Sequence, residues 1–428
     1  MRRSMERHAF VMSLATREAA LPAASLTPLP KLVLALSTLM AFGAMSTDMY
    51  LPALPALQAS LNTTPARVQQ TLSLFLVGFA LAQLFWGPLG DRFGRRGPIM
   101  AGVGMFLVGT VGCALSTSAE QMLFWRLLQA TGACAGPVLA RAMVRDLYGR
   151  EKSAQILSVL MLVMGVAPLV APILGGQVLL LWSWRAIFWV LLGFGLVALF
   201  AAFTLKETLP ADKRTALGLR NLTFTYLGLL RDRRFLGYAL TGGCFYGGIY
   251  TYLAGSPFAY IEYHHVPAAA YGFIFAVNIC GMMAMNMVNS RLVTRFSTDT
   301  LFRTGIALAA LSGIVLAINA RLGLFGLVGL AAPLFVFVSM LGLIVANSVA
   351  GAMAAYPRKA GAASALLGTL HYGAGRRVQR PARHSLGRHA LADGTAHRHP
   401  RRGGAALGPA AGAGSTVGFC GLRVRLGA

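Results

Sequence analysis

Ten apolar runs in this chain are each long enough to cross a lipid bilayer, which takes about 20 residues of helix. Composition agrees, because 56% of the residues are hydrophobic and only 12% are charged, which excludes an ordinary soluble domain. We therefore predict an all-α integral membrane protein. The predicted spans are 31–51, 68–87, 98–116, 120–141, 153–181, 185–205, 235–257, 269–290, 301–320 and 323–347.

Basic residues in the connecting segments predict how these spans are oriented. The loop after the second span holds three arginines, and the segment after the sixth span holds seven basic residues. Loops on the opposite side carry at most one basic residue each, so the N-terminus is predicted to lie in the cytoplasm. The predicted order is a cytoplasmic tail (1–30), a six-helix bundle (31–205), a central cytoplasmic loop (206–234), a second bundle (235–375) and a basic tail (376–428).

The last segment breaks this pattern. An eleventh apolar run starts at Gly361 but meets Arg376 after about 15 residues, which is too short for a span. Residues 376–428 hold ten arginines, four histidines and a single acidic residue, Asp393. A disordered basic tail is one interpretation. We favour a shift of reading frame after about Gly375, which would leave the second bundle incomplete and this copy unable to transport.

Two opposite charges fall inside predicted spans of the first bundle. Asp48 lies in the first span and Arg126 in the fourth, within about one helical turn of the same depth. A charge within a membrane is costly unless it is paired, neutral or facing water, so both are candidates for a proton-coupling pair. They are expected to meet or to share a water-filled cavity. Gln129, one turn after Arg126, is expected to face the same way. An interfacial position of Asp48 at the end of its span is the alternative.

Three further groups are weaker candidates. In the seventh span, Tyr246 and Tyr250 share a helix face and could stack flat drugs, although helix packing explains them equally well. Gln129 and Asn278 of the eighth span are the other residues predicted to line the substrate cavity. The fifth span contains two prolines, which bend a helix, and several glycines, which let a neighbouring helix approach closely. These residues are Gly165, Pro168, Pro172, Gly175 and Gly176. The alternative is a packing kink without a role in transport. His264 and His265 are adjacent in a loop and favour solvent exposure over a metal site.

The loop Gly87–Arg96 carries the most specific motif of the chain, Gly-Pro-Leu-Gly-Asp-Arg-Phe-Gly-Arg-Arg. Its glycines predict a tight turn, with Asp91 near the start of the following helix, where its charge suits the helix dipole. The pattern resembles the signature loop of the major facilitator superfamily. Arg126–Ala133 is similar to the motif of the fourth span in that superfamily, and Gly165–Gly176 is similar to the antiporter motif of its proton-coupled exporters.

Several other segments resemble one branch, the Bcr/CflA drug-resistance transporters. They are Asp48–Pro55, Arg141–Asp146, Trp184–Phe188, Lys206–Pro210, Tyr260–Glu262 and Ser364–Gly368. The resemblance implies two six-helix bundles around a central cavity, and proton-driven export of bicyclomycin, sulfonamides or phenicols across the bacterial inner membrane. It also implies a cytoplasmic charge cluster of Asp91, Arg92, Arg95 and Asp146, for which ordinary exposed loop charge is the alternative.

The net charge of +25 prompts a different interpretation, a basic protein bound to nucleic acid or to the membrane surface. The charge is dispersed over several loops, however, and forms no single patch. A membrane enzyme is a third possibility, but no Ser/His pair, paired acids or metal-ligand set shares a face. We therefore predict a monomeric transporter and not an enzyme, without cofactor or metal. Its expected partners are drugs, protons and membrane lipid, without nucleic acid.

Overall fold

The computed structural model of the chain describes residues 29–214, 226–356 and 360–373. These residues form helices and connecting turns without a strand, which confirms the predicted all-α fold class. Residues 1–28 of the predicted N-terminal tail, residues 215–225 of the central loop and the basic tail with its proposed change of reading frame lie outside the described residues.

The main helices in the described part of the chain number thirteen. They are α1 (Leu29–Asp48), α2 (Leu54–Ser60), α3 (Pro65–Phe93), α4 (Arg96–Leu115), α5 (Ala119–Leu147), α6 (Arg150–Leu181), α7 (Trp184–Thr204), α8 (Arg233–Pro257), α9 (Ala268–Leu292), α10 (Thr298–Leu322), α11 (Gly326–Ser339), α12 (Leu341–Met353) and α13 (Ala360–Gly373). A π-helical turn, Phe258–Tyr263, extends α8.

Polar side chains fix where several helices begin. At the start of α3, the Thr64 hydroxyl accepts a hydrogen bond from the Arg67 N–H, and Pro65 occupies the first helical position. Ser118 and Ser297 cap α5 and α10 in the same way. Because these caps follow short polar turns, each long helix starts within a few residues of the start of its predicted span.

The predicted charged loop is mostly helix. α3 continues to Phe93 and α4 begins at Arg96, so the turn consists of Gly94 and Arg95 alone. Gly94 has a φ of 88°, in the region that favours glycine. The predicted position of Asp91 near the start of α4 was wrong, because Asp91 lies in the last turn of α3. The apolar run ends at the membrane boundary, but the helix continues until Gly94 breaks it.

Nine of the described helical stretches are long and apolar enough to cross a membrane. They cover every predicted span except the seventh. The seventh is the 25-residue helix α8, which is less apolar because it contains two arginines and four tyrosines. The predicted tenth span corresponds to α11 and α12, which meet at Met340.

A proline inside α11 leaves one backbone carbonyl to be satisfied from another helix. Pro333 has no N–H to donate to the Gly329 carbonyl one turn earlier. The Asn319 side chain of α10 donates to that carbonyl instead, at 3.0 Å. The interaction compensates the missing bond and joins α10 to α11.

The helices form a first half, α1–α7, and a second half, α8–α13. We call the end at which α3 meets α4 the charged end. Within the first half, α5 packs on α3 and α4, and in the second half α8 packs on α12 and α13. Between the halves, α6 packs on α9, and α3 packs on α13.

Backbones of the two halves touch closely at the end opposite the charged end, which we call the far seam. A Cβ added to Gly176 of α6 would lie 2.8 Å from the Ala268 carbonyl oxygen of α9. A Cβ added to Gly272 of α9 would lie 2.7 Å from the Pro172 carbonyl oxygen of α6. Only glycine lets these helices approach so closely. The segment Leu51–Ala53, which follows α1, also packs on α8 and α9.

Candidate functional site

The Asp48 side chain is buried at the far seam, at the last residue of α1. Its Oδ1 accepts a hydrogen bond of 2.9 Å from the Thr47 hydroxyl. It also interacts electrostatically with the hydroxyl groups of Tyr252 and Tyr271, which belong to the second half. A carboxyl group of the first half therefore lies within electrostatic range of phenol groups of the second half.

Arg126 is fully buried in the first half. Its Nη1 donates to the Ser46 carbonyl oxygen at 3.0 Å and to the Gln129 Oε1 at 2.7 Å. The guanidinium carbon lies 4.5 Å from the centre of the Tyr50 ring and 4.3 Å from that of Phe75, which are cation–π distances. The Nε and Nη2 groups are buried without a hydrogen-bond partner.

The structure does not join Asp48 and Arg126 in an ion pair, so of the two expected arrangements, direct contact or a shared cavity, direct contact does not occur in this conformation. The predicted depth was close, since Arg126 contacts the carbonyl of Ser46, two residues before Asp48. Neutral acceptors and two aromatic rings replace the carboxylate as partners of the guanidinium, and Gln129 faces Arg126 as predicted.

Gln129 is an internal linker of the first half. Its side-chain amide nitrogen, Nε2, donates to the Thr110 hydroxyl at 2.8 Å, which connects α5 to α4, while its Oε1 accepts from Arg126 of the same helix. Gly109 makes room for this contact, because a Cβ there would lie 2.6 Å from the Gln129 backbone nitrogen. Both polar ends of Gln129 are therefore engaged by protein groups in this conformation.

The second half presents a set of hydrogen-bonded tyrosines near the far seam. Asn278 donates to the Tyr252 hydroxyl at 2.8 Å, and the hydroxyls of Ser256 and Tyr271 are also 2.8 Å apart. The Tyr260 hydroxyl is buried without a hydrogen-bond partner. Asn278, a predicted cavity residue, thus contacts a tyrosine that lies within electrostatic range of Asp48.

The predicted antiporter motif lies in α6, a continuous helix that includes Pro168 and Pro172. Its glycines differ in their surroundings. A Cβ on Gly175 would lie 2.0 Å from the Met49 carbonyl oxygen, directly after Asp48, whereas a Cβ on Gly165 would meet nothing within 4 Å. Gly176 therefore belongs to the far seam, Gly175 packs against the end of α1 within the first half, and Gly165 does neither.

Tyr246 and Tyr250 of α8 form an aromatic group with a residue that the sequence did not single out. The two tyrosine rings are 5.8 Å apart, and the Tyr246 ring stacks on His371 of α13 at 4.9 Å. Tyr250 is buried and Tyr246 is half-buried. The predicted pair is thus extended by a histidine into a row of three rings.

Three of the four predicted charge-cluster residues meet at the charged end. The Arg95 Nη1 lies 2.7 Å from Asp91 Oδ1, and its Nε lies 2.7 Å from Asp146 Oδ2. Burial lowers the pKa of Arg95, but the bonds to Asp146 and Asp91 outweigh it and raise the pKa above its usual value. Arg92 is exposed beside the Phe93 ring and is not brought into these ion pairs.

Glu207 completes this cluster and was missed as a functional residue. Its carboxylate accepts hydrogen bonds from the backbone N–H groups of Arg95 at 2.8 Å and Arg96 at 3.2 Å. Partial burial raises the pKa of Glu207, but the backbone donors outweigh it and hold the pKa below its usual value. The start of the central loop is thereby attached to the turn between α3 and α4. The only sequence signal was the family resemblance of Lys206–Pro210.

Among the described residues, no group of three or more His, Cys, Asp or Glu side chains is placed to hold a metal ion. The arrangement consists instead of buried single charges, hydrogen-bonded tyrosines and a close seam between two helical halves. Two helical halves with buried polar groups between them are typical of a membrane carrier, in which a solute passes between two bundles.

The comparison with known proteins identifies the family. Residues 34–376 match the model of the Major Facilitator Superfamily, so the chain belongs to that family. The chain is 35% identical over 347 residues to a bicyclomycin resistance protein homolog of Haemophilus influenzae, covering 79% of this chain and 85% of the relative. It is 32% identical over 339 residues to a chloramphenicol resistance protein of Pseudomonas aeruginosa, covering 78% and 79%.

Solved structures agree on the fold. A D-xylose–proton symporter superposes with a TM-score of 0.68 at 14% identity, covering 82% of this chain and 89% of that one. The predicted resemblance to drug-resistance transporters is confirmed, and the chain is a multi-pass membrane transporter of that kind and not an enzyme. The alternative of a basic surface-bound protein gains no support from these matches.

Proposed function

We propose that the chain, with its reading frame restored after about Gly375, exports small drugs across the bacterial inner membrane in exchange for protons, with Asp48 as the proton-binding group. The observation that carries this proposal is the position of Asp48, a buried carboxyl at the contact between the two halves that forms no ion pair with any described basic residue. A buried carboxyl favours its neutral form, and water or a cation favours its ionised form. Movement of the halves would therefore change its proton affinity.

Arg126 is the group that would receive the ionised carboxylate. Its Nε–H and Nη2–H form a planar fork that matches a carboxylate, and both lack a partner in this conformation. The guanidinium already contacts Ser46, which precedes Asp48 by less than one turn. When Asp48 releases its proton to water, its carboxylate would turn to this fork, and reprotonation would return it to Thr47.

The charge cluster supports an orientation with the charged end and the N-terminus in the cytoplasm. Most loop arginines lie at that end, as the positive-inside rule requires. Arg95 ties the ends of α3 and α5 to the start of α4 through Asp91 and Asp146. We propose that this cluster, including Glu207, keeps the charged ends of the first half together as one rigid unit while the halves move.

The names of the two resistance proteins support an uncharged, drug-sized substrate of the bicyclomycin or phenicol type, and the family resemblance adds sulfonamides. Tyr246 and Tyr250 would supply the aromatic surface. We further propose that the transporter acts as a monomer.

We also propose that the reading frame changes after about Gly375, so that residues 376–428 are not the family's natural sequence. The family match ends at residue 376, where the apolar pattern stops, and this coincidence supports a change of reading frame after about Gly375. Resequencing the gene at that codon is the test. A one-base correction that opens two further apolar stretches of about 20 residues supports it. An uninterrupted frame, with resistance conferred by the 428-residue product, refutes it.

Proton coupling is tested in proteoliposomes with an imposed pH gradient, using radiolabelled chloramphenicol, the 428-residue chain and a frame-restored chain. Asp48→Asn is expected to abolish gradient-driven transport. Asp212→Asn makes the same change at an exposed position and is expected to leave transport intact. The Asp48 variant is made in the frame-restored chain, and transport by it equal to that of its active parent would refute the role of Asp48.

A further inference from the structure

His371 of α13 is a buried imidazole that the proposed coupling mechanism does not use. Its side chain is 3% exposed, and its Nε2 is buried without a hydrogen-bond partner. An unsatisfied buried nitrogen is unfavourable, and a polar side chain within a membrane is retained for function more often than for stability.

The position of His371 is in the middle of the bundle, beside the contact between the halves. It lies 11 residues after the start of α13, or about 16 Å along the helix from the charged end. Two residues earlier, the Thr369 hydroxyl donates to the Ala80 carbonyl oxygen of α3 in the first half. His371 therefore sits next to the surface along which a transported molecule would pass.

Glycine brings the imidazole close to α8. A Cβ on Gly242 would lie 2.6 Å from His371 Nε2 and 2.9 Å from the Ser348 hydroxyl of α12. The Ser348 hydroxyl already donates to the Tyr238 carbonyl oxygen. The imidazole nitrogen thus reaches the inner surface of α8 and finds no acceptor or donor that is directed to it.

The neighbours of His371 favour an uncharged imidazole. The Tyr246 ring of α8 stacks on it at an interplanar angle of 27°. Ser348 of α12 and Gln83 of α3, which lies near Gly368, are neutral. No described hydrogen bond or ion pair joins His371 to an acidic side chain. Protonation there would place an unpaired charge within the bundle, which is costly.

We propose that His371 is the hydrogen-bonding anchor of the drug site, where its Nε2 binds a polar group of an uncharged aromatic drug that stacks on Tyr246 and Tyr250. The inference rests on the proposed drug transport and does not depend on proton coupling. Tyr246 is half-buried and offers the route of entry. If α8 and α13 separate by the width of an aromatic ring, a drug can enter between them. A polar group of the drug then supplies the hydrogen bond that His371 Nε2 lacks. A site with one buried polar group in apolar surroundings discriminates against molecules that cannot pair with it.

The test is equilibrium binding of radiolabelled chloramphenicol to the purified full chain in detergent, without any gradient. His371→Phe keeps the ring on Tyr246 and removes both nitrogens, and we expect it to weaken binding about three- to tenfold, the value of one hydrogen bond. His264→Phe makes the same change in the loop after the π-helical turn and is expected to bind as the unmodified chain does. His371→Gln, which restores a hydrogen-bonding group, is expected to recover part of the affinity.

Thermal unfolding of the same variants separates binding from folding. His371→Phe removes an unsatisfied polar atom, so the melting temperature is expected to stay the same or to rise. Unchanged chloramphenicol affinity in this variant, or a fall in melting temperature that accounts for its weaker binding, overturns the inference while leaving drug transport in place. Failure of both the unmodified chain and the frame-restored chain to bind either chloramphenicol or bicyclomycin overturns the inference and the proposed drug substrates together. Proton coupling is judged separately by the Asp48 variant.

Discussion

Gly175 and Gly165 provide a matched comparison within one motif of α6. Each is replaced by alanine, a change that alone favours a helix by about 1 kcal/mol. At Gly165 the new methyl group meets nothing within 4 Å. At Gly175 it would lie 2.0 Å from the Met49 carbonyl oxygen, and Cβ contacts under 3.0 Å are essentially never seen, so α6 must move by at least 1 Å. The obstacle is backbone, which cannot rotate away as a side chain can.

Overpacking of this kind costs about 1–3 kcal/mol, and relief from the backbone obstacle requires separation of α6 from the end of α1. After subtraction of the helix preference, Gly175→Ala should lose up to about 2 kcal/mol, or roughly 2 °C in apparent melting temperature. Gly165→Ala should lose nothing and could gain a degree or two.

The assay is thermal unfolding of both purified variants in the same detergent, followed by size-exclusion fluorescence. Equal melting temperatures for the two alanine variants would show that the close approach at Gly175 does not govern stability, and would refute the packing argument.

Three other changes follow from the described contacts. Glu207→Gln should lower the melting temperature at pH 7, at a cost of about 1 kcal/mol for this partly exposed carboxylate. Because the folded pKa of Glu207 lies below its usual value, its contribution is present above the unfolded value of about 4.3 and is lost as the pH falls through the folded value. The difference between Glu207→Gln and the unmodified chain in pH-dependent melting should therefore vanish in acid, and a constant difference would contradict the assignment. Arg126→Lys keeps the charge but loses the planar fork and the stacking on Tyr50 and Phe75, so transport should fall by at least tenfold in the proteoliposome assay, and full activity would show that charge alone suffices. Asn319→Ala leaves the Gly329 carbonyl without its donor and should cost about 1–2 kcal/mol in thermal stability, whereas Asn319→Gln should restore part of it.

Hydropathy predicted the helices well because a helix that crosses the hydrocarbon core must be apolar over about 20 residues. It did not predict where helices end. Asp91 was assigned to the wrong helix because charged residues mark the edge of the membrane, while the helix itself stops only at Gly94. The sequence also indicated that Arg126 and Gln129 share a face, since three residues bring side chains to the same side of a helix.

The partners of these charges could not be predicted from the sequence. The opposite signs of Asp48 and Arg126 indicated a direct pair or a shared cavity, but could not indicate that the guanidinium binds a carbonyl, an amide and two aromatic rings. Glu207 binds backbone N–H groups more than 100 positions earlier, and backbone donors carry no sequence signal. The stacking of His371 on Tyr246 likewise depends on how α13 packs against α8.

The far seam has a mechanical consequence. Its contacts at Gly176 and Gly272 are backbone against backbone, so they lack the long side chains that could stretch or rearrange during motion. A joint of this kind can tilt, but it cannot lengthen. If α6 and α9 pivot there, a tilt of 10° displaces points 30 Å away by about 5 Å, since a membrane-spanning helix is about that long. The far seam would then act as a fulcrum, and the largest opening would occur at the charged end.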